Sequence, residues 1–501
     1  MNKQIFKFFL PLISAVILIF CFPRFDLGAF AWVALIPLLW FIINSPPRTA
    51  LGGGLLFGFV FHLYINSFVI VTLNQFLSMP LTIAAYLLLA IFLSLYYGIY
   101  AYLVSRLKEI IPAYFMVFLL PFLWVIMEYV RSLGLLGYTA GYIGYSQWAY
   151  TDILQISSVY GYWGIAFLII FIQALLVMAI QNKLARDQII KAISVWGLIF
   201  LIGLSAPHFF PVEKNADTKN IALIQANIPQ EDILAGPDDN LVRYENLTRE
   251  AFTQNENIDL VVWAETVLSL PLARGKAILP EIEQLSREFD TPFLYGAMVR
   301  ENNDLYNSVV FYSPHTGRLQ KNYKQYLVPI VEYFPYDDLL NRWLDLGLNL
   351  GNYTRGQEEN IIYFNDRPLG SIICFESFFG NYSRKYAAAG AQYMFVLTND
   401  GWLGDTHGLD QHAHTILIRA AEMGIGVTQV ANTGITISAD YTGEEILRSG
   451  IETEEILFLE TDFSRRNTIY SILGEYFIYG SLLISLALIF FGGKIKFGAN
   501  K

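Results

Sequence analysis

Gly370-Ser371-Ile372-Ile373-Cys374-Phe375-Glu376-Ser377 decides how the polar part of this chain folds. Four small or β-branched residues read as a buried strand, and the polar residues after them read as a turn into a helix. A strand that ends in a thiol places the sulfur at the carboxyl edge of a sheet, where α/β sites form, and near a helix amino terminus that favours thiolate. Cys374 is therefore a candidate nucleophile. A lone cysteine in an apolar strand is also a common structural thiol, so its company has to decide.

Working outward, similar short apolar runs stand at Ile221 to Ala226, Leu260 to Trp263, Phe293 to Val299, Ser308 to Tyr312, Tyr393 to Thr398, Gly426 to Ala431 and Ile435 to Ala439. Helical stretches at 240–256, 278–289 and 408–423 separate several of them. Alternation of this kind predicts an α/β domain, here over residues 209–468. Within it, Val261-Val262-Trp263-Ala264-Glu265-Thr266 delivers a carboxylate at a strand end, where desolvation raises its pKa toward proton-transfer duty. Tyr323-Lys324-Gln325-Tyr326-Leu327-Val328-Pro329-Ile330-Val331-Glu332-Tyr333 sets an ammonium and a second carboxylate eight residues apart in an apolar loop. Such a cation suits a developing oxyanion, and such a carboxylate would hold it in place.

The rest of the chain has a different character. Of 501 residues, 54% are hydrophobic and only 15% charged, which excludes an ordinary soluble protein. Residues 1–210 hold 10 basic and 5 acidic side chains of the 33 and 43 present, so the net charge of -10 divides as +5 and -15. An acidic polar domain argues against a nucleic-acid partner. Apolar runs near 4–22, 27–43, 50–73, 80–105, 112–131, 160–180, 190–208 and 469–492 approach the ~20 residues needed to cross a bilayer. Eight spans are thus expected: a seven-helix domain over 1–208, and an eighth helix with its tail over 469–501. Lys3, Lys7, Arg48, Arg106, Lys108, Lys183, Arg186, Lys191, Lys494, Lys496 and Lys501 collect on one side, against Arg24 and Arg131 in the opposite short loops. That asymmetry puts both termini in the cytoplasm and the polar domain outside. The first span resembles a secretory signal, but Ile19 and Phe20 are too bulky for cleavage, so it reads as a retained helix and Cys21 as a core thiol.

Other features have plainer readings. His407, His412 and His414 read as solvated or hydrogen-bonded, and no metal site is expected. Glu128 and Arg131, one helical turn apart, read as a pair at a span end, and Gly52-Gly53-Gly54 as close helix packing.

Glu265, Lys324 and Cys374, in that order and each at a strand end or in the loop after it, resemble the nitrilase superfamily across about residues 220–440. The motifs are Trp263-Ala264-Glu265-Thr266, Lys324 with Leu327-Val328-Pro329 and Glu332, Ile373-Cys374-Phe375-Glu376, and Leu397-Thr398-Asn399-Asp400-Gly401-Trp402. With eight spans around it, the domain looks like one branch, the apolipoprotein N-acyltransferases. Gln225-Ala226-Asn227-Ile228-Pro229-Gln230, Thr398 to Asp405 followed by Gln411-His412 and the helix through Arg419-Ala420-Ala421-Glu422, and Ala431-Asn432-Thr433-Gly434-Ile435 are similar to that branch.

The resemblance implies an α-β-β-α sandwich as the extracytoplasmic domain of a polytopic helical membrane protein. It implies Cys374 as nucleophile, Glu265 as general base, Lys324 as oxyanion stabiliser, and Glu332 and Glu376 in support. Phe375, Asn399, Trp402 and Tyr333 would touch substrate. No cofactor is expected. A phospholipid would donate an acyl chain to the thiol, and the amine of a diacylglyceryl-cysteine lipoprotein would accept it, both from a bacterial inner membrane that the cleft faces. The family commonly has Tyr where Phe375 stands, Phe-Gly in place of Ile330-Val331, and often Trp in place of Leu234; these positions fall in segments that would line the substrate pocket. Two competing readings are a membrane-tethered amidase using water, and a non-catalytic transporter or scaffold. The scarcity of ionisable residues at mid-membrane disfavours the last.

Overall fold

The computed structural model describes residues 8–134, 136–215, 217–230, 232, 237–272, 280–302, 304–329, 331–333 and 353–498. Leu234, Ile330, Lys3, Lys7 and Lys501 lie outside them. The chain forms two compact units, Met1–Phe209 with Thr468–Lys501, and Phe210–Asn467.

In the first unit, among the described residues, six helices are long and apolar enough to cross a membrane: Pro47–Ile65, Met79–Leu107, Ala113–Arg131, Tyr162–Ile180, Arg186–Phe209 and Tyr476–Lys496. The two earliest expected spans appear as shorter apolar helices. Phe9–Ile19 is one; the second begins as a 3-10 turn, Gly28–Trp32, and becomes α-helical only at Ile36–Ile43, where Pro37 opens the new helix. Apolarity alone therefore overestimated helix length, because Pro and 3-10 geometry divide the run. The expected span at 50–73 is likewise divided at Asn66-Ser67. There Asn66 bonds His62 Nδ1 (3.2 Å) and accepts from the Tyr138 hydroxyl (2.7 Å).

The glycine triplet does serve close packing. A Cβ on Gly54 would lie 2.4 Å from the Tyr97 carbonyl oxygen of the neighbouring helix. Glu128 and Arg131 are buried and, among the described residues, form no ion pair with each other. Arg131 instead meets His62 Nε2 (3.0 Å), Tyr97 Oη (2.8 Å) and the Ala140 carbonyl (3.2 Å). Glu128 accepts from the Ile143 N–H (3.1 Å) and Tyr162 Oη (2.8 Å). Inside a bundle, each charge is held by neutral partners that no helical spacing reveals.

The second unit contains β1 Val212–Glu213, β2 Lys219–Gln225, β3 Leu260–Trp263, β4 Leu268–Leu272, β5 Phe293–Glu301, β6 Asp304–Tyr312, β7 Leu319–Tyr323 and β8 Ile362–Phe364. It continues with β9 Arg367–Ile373, β10 Tyr393–Thr398, β11 Gly426–Ala431, β12 Ile437–Ala439, β13 Glu445–Arg448, β14 Glu455–Thr461 and β15 Arg465–Arg466. One sheet runs β14-β2-β3-β5-β6-β7 with β4 on β5, the other β13-β12-β11-β10-β9-β8, and β1 pairs with β15.

Strict alternation along β2 builds the layers. Ile221 and Leu223 join Leu260, Val262, Ile373, Phe395 and Leu397 in the core between the sheets. Ala222 and Ile224 face the other way, toward Tyr244, Leu247, Ile282 and Leu285 of the helices Pro237–Gln254 and Pro280–Glu288. The helices Gly380–Ala388 and His407–Met423 pack on the second sheet, completing an α-β-β-α sandwich.

Register decides where the chemistry sits. Parallel β9 and β10 align Ile373 with Leu397, so Cys374 and the Thr398–Asp400 segment emerge at one edge. Antiparallel β6 and β7 align Ser308 with Tyr323, which brings Lys324 beside Asn307.

Candidate active site

Glu265 leaves β3 through a tight turn in which Thr266 has φ +53°. The turn fits because β5 approaches it at Gly296. A Cβ there would stand 2.5 Å from Glu265 Cα, 2.6 Å from the Ala264 oxygen and 2.7 Å from Thr266 N. We expect Gly296→Ala to displace the Glu265 backbone, destabilise the domain by about 1–3 kcal/mol and depress activity. Chemical denaturation and an acyl-transfer assay of the variant check this; unchanged midpoint and rate would refute it.

Four side chains meet around this carboxylate. Lys324 Nζ lies 3.3 Å from Glu265 Oε1 and 2.9 Å from Glu332 Oε1. Asn307 Nδ2 donates to the same two oxygens at 2.7 and 3.0 Å. Glu265 Oε2 accepts the Asn399 backbone N–H (3.0 Å), and Glu332 Oε2 accepts that of Val328 (2.8 Å). All four are buried. Burial pushes the Glu265 carboxyl up, while Lys324 pulls it back. Burial alone would lower the ammonium of Lys324, but Glu265 and Glu332 beside it raise it well above the usual lysine range. At neutral pH Lys324 is a fixed positive charge.

Cys374 follows β9 directly, with φ +49°, and is half-buried. A side chain other than glycine in this left-handed region costs roughly 1–2 kcal/mol, so surrounding contacts must hold it. Burial pushes the thiol well above its usual range, Glu265 and Asp400 push it further, and Lys324 and the Thr398 hydroxyl oppose them. The resting sulfur is thus a thiol whose proton has to be taken during attack.

Glu376, two residues on in the same 3-10 turn, fastens two loops together. Its Oε1 accepts the N–H groups of Gln325 (2.6 Å) and Tyr326 (3.0 Å), next to Lys324, and its Oε2 accepts that of Ile373 (2.8 Å), next to Cys374. Burial pushes its carboxyl up to about 7 against those three donors.

The residues expected to touch substrate divide. Phe375 is half-buried and packs on Phe379 (5.1 Å between ring centroids) and Phe378 (5.8 Å). Trp402 is also half-buried. Tyr333 lies beneath the Arg355 guanidinium, 4.6 Å from the ring centre. Asn399 is buried, with its side chain bonded to Gln230 Oε1 (2.8 Å) and its N–H on Glu265.

Sequence reasoning missed Asn307, which links both carboxylates, and underread Asp400 and His412. Of the two readings of His407, His412 and His414, hydrogen-bonded holds and solvated does not: all three are buried, and they face Gln411, Asp400 and Arg448 respectively. His412 Nδ1 faces Asp400 Oδ1 and Oδ2 at 2.9 and 3.0 Å, and its Nε2 faces the Cys374 carbonyl oxygen at 3.0 Å. A thiol, carboxylate and imidazole within 4.8 Å of one another have the donor types of a metal site, but both ring nitrogens are already engaged in hydrogen bonds. The only early signal for this group was its position in the Asn399-Asp400-Gly401-Trp402 and Gln411-His412 motifs.

Comparison with known proteins places the chain in a family. Residues 220–470 match the family model for carbon-nitrogen hydrolases, and residues 14–175 match that for the apolipoprotein N-acyltransferase N-terminal domain. The chain is 27% identical to the apolipoprotein N-acyltransferase of Geobacter metallireducens, over 94% of this chain and 92% of that one. It is 28% identical to the protein of that name from Haemophilus influenzae, over 97% and 95%. Among solved structures, Saccharomyces cerevisiae Nit3, of the nitrilase superfamily, is similar over 49% of this chain and 90% of its own, with 18% identity and a TM-score of 0.39. One family model spans half of the sequence and the other most of its amino-terminal membrane part, so the chain belongs to the carbon-nitrogen hydrolase family, in its apolipoprotein N-acyltransferase branch.

Proposed function

We propose that the protein moves an acyl chain from a membrane phospholipid, through a thioester on Cys374, to the amino-terminal amine of a diacylglyceryl-cysteine lipoprotein. The observation that carries this reading is a thiol in a left-handed turn beside a buried carboxylate–ammonium–carboxylate group, in a chain whose described residues include six membrane-length helices. Glu265 takes the thiol proton as sulfur attacks the ester carbonyl, and Lys324 stabilises the oxyanion. Collapse breaks the ester C–O bond, and the lysophospholipid oxygen recovers the proton from Glu265. The lipoprotein amine then attacks the thioester and passes a proton to Glu265; the new amide leaves, and the thiolate is reprotonated.

A ping-pong route suits two lipid substrates that need not bind together. The lysine and arginine asymmetry supports cytoplasmic termini and a catalytic domain outside the inner membrane. Incubating purified protein with phospholipid should add one acyl mass to the peptide containing Cys374, discharged by a diacylated lipopeptide to give N-acylated product. Free fatty acid as sole product would favour a membrane-tethered amidase, and no adduct would end the reading.

A further inference from the structure

Cys374 sits in a backbone conformation that an L-residue holds only when its surroundings impose it. The triad does not account for that: Lys324 and Asn307 bond Glu265 and Glu332 rather than the Cys374 backbone. The Cys374 carbonyl oxygen instead accepts from His412 Nε2 at 3.0 Å, and Ser377 Oγ, in the same turn, lies 3.1 Å from that nitrogen. Phe378 stacks on the imidazole with ring centroids 5.2 Å apart and planes inclined by 13°.

The other side of the ring is as firmly set. Asp400 is fixed by Thr398 Oγ1, which donates to its Oδ1 (2.8 Å), and by its own N–H on the Thr433 carbonyl (2.9 Å). Gly434, at φ +130°, comes so close that a Cβ would stand 2.8 Å from Asp400 Cβ. A carbonyl oxygen can only accept, so Nε2 carries a hydrogen; with both Asp400 oxygens within 3.0 Å of it, Nδ1 carries one too. Asp400 and His412 are each 2% exposed, so neither charge is shared with water.

We propose that His412 is a positioning residue for acyl transfer: doubly protonated between Asp400 and the Cys374 carbonyl, it locks the left-handed turn that presents the thiol. This rests on Cys374 being the nucleophile, as read above. The clamp ties together three pieces of chain that the fold brings to one edge: the turn after β9, the segment after β10 and the first turns of the helix His407–Met423. Burial lowers the tendency of His412 to hold its proton; the Asp400 charge and hydrogen bond outweigh it and raise the ring above the ordinary histidine range. Besides Asp400, the charged group that bears on it is Glu265, and the Cys374 sulfur lies within 4.8 Å of the Asp400 and His412 ligand atoms.

The test uses full-length purified protein and three variants, His412→Ala, His412→Gln and Asp400→Asn. Two rates are read on each preparation: alkylation of Cys374 by iodoacetamide, followed by peptide mass spectrometry, and acyl transfer from phospholipid to lipopeptide. His412→Ala should slow acyl transfer about 10²-fold and alkylation about tenfold, through displacement of the sulfur. His412→Gln should restore part of both, because an amide N–H can still reach the Cys374 carbonyl. Asp400→Asn keeps the turn but removes the counter-charge, so its acyl-transfer rate relative to native should fall as pH rises from about 6 to about 8, where the imidazolium gives up its proton.

Native rates in His412→Ala, no rescue by glutamine, or an Asp400→Asn to native ratio flat across that range would each overturn the proposal. Loss of these effects with Cys374→Ala still inactive would sink the clamp alone. Full acyl transfer by Cys374→Ala would sink the proposed function itself.

Discussion

Cys374→Ser protein should lose acyl transfer by about 10³-fold or more and accumulate no thioester, while remaining folded. The substitution changes one atom and keeps the turn, so the effect isolates nucleophilicity. A serine hydroxyl is far less acidic than a thiol, and burial, Glu265 and Asp400 already push the ionisation of this position the wrong way. Glu265, tied to Lys324 and to the Asn399 N–H, is a competent base for a thiol but a weak one for an alcohol. An adduct in the serine protein would be an oxygen ester, resistant to neutral hydroxylamine, and would turn over far more slowly. Mass spectrometry before and after hydroxylamine treatment, with lipopeptide product quantified in parallel, checks this. A serine variant with near-native turnover would remove the sulfur from the mechanism.

Lys324→Met should be comparably severe and should also change how stability depends on pH. The ammonium stands 3.3 Å from Glu265 and 2.9 Å from Glu332. Removing it leaves two buried carboxylates sharing Asn307 and takes away the oxyanion's positive charge. Loss of oxyanion stabilisation costs about 10²–10³ in rate, and a Glu265 that keeps its proton costs base catalysis as well, for roughly 10⁴ in all. Breaking a buried pair destabilises by about 3–5 kcal/mol.

The pH direction follows from Glu265, whose carboxyl is raised by burial and lowered by Lys324. Without the lysine it rises further above its unfolded value. A raised carboxyl contributes stability that is full below the unfolded pKa and is lost as pH rises through the folded one. Melting temperature in Lys324→Met should therefore decline more steeply from acid to neutral pH than in native protein. Adding Glu332→Gln should recover part of that stability without recovering activity. A Lys324→Met protein with native stability at neutral pH would mean that the three groups do not form one electrostatic unit.

The legible parts of this fold were those with a strong local pattern. β3, β9, β10 and β11 are short, apolar and bounded by polar turns, so their position could be read from residues alone. β7, β8, β13 and β14 could not. Leu319–Tyr323 and Glu445–Arg448 are mixed polar strands, and their pairing with β6 and β12 supplies the order that their composition lacks. The helix Gly380–Ala388 was overlooked for a similar reason, since Gly380 and Asn381 at its start are poor helix formers in isolation.

In the membrane unit, hydropathy located the apolar runs but not their breaks, such as the one at Asn66-Ser67, where Asn66 meets His62 and Tyr138. At the site, Cys374, Glu265, Lys324 and Glu332 stood out as reactive types at strand ends. Glu376 entered through the family resemblance; Asn307 did not stand out and His412 was read only as solvated or hydrogen-bonded, because their partners are backbone groups and side chains distant in sequence.

Sequence by itself determined the division into an apolar and an acidic part, the order of strands that carry a carboxylate, an ammonium and a thiol, and the chemistry those three groups allow. Those follow from residue type and short-range pattern, which every copy of the chain carries before it folds. Tertiary structure alone decided that Glu265 and Glu332 share one lysine, that Glu376 joins the lysine loop to the cysteine turn, and that a buried histidine holds the cysteine carbonyl. The physical reason is that hydrogen-bond partners and desolvation depend on which sheet edges meet, and that is a property of the register between strands far apart along the chain.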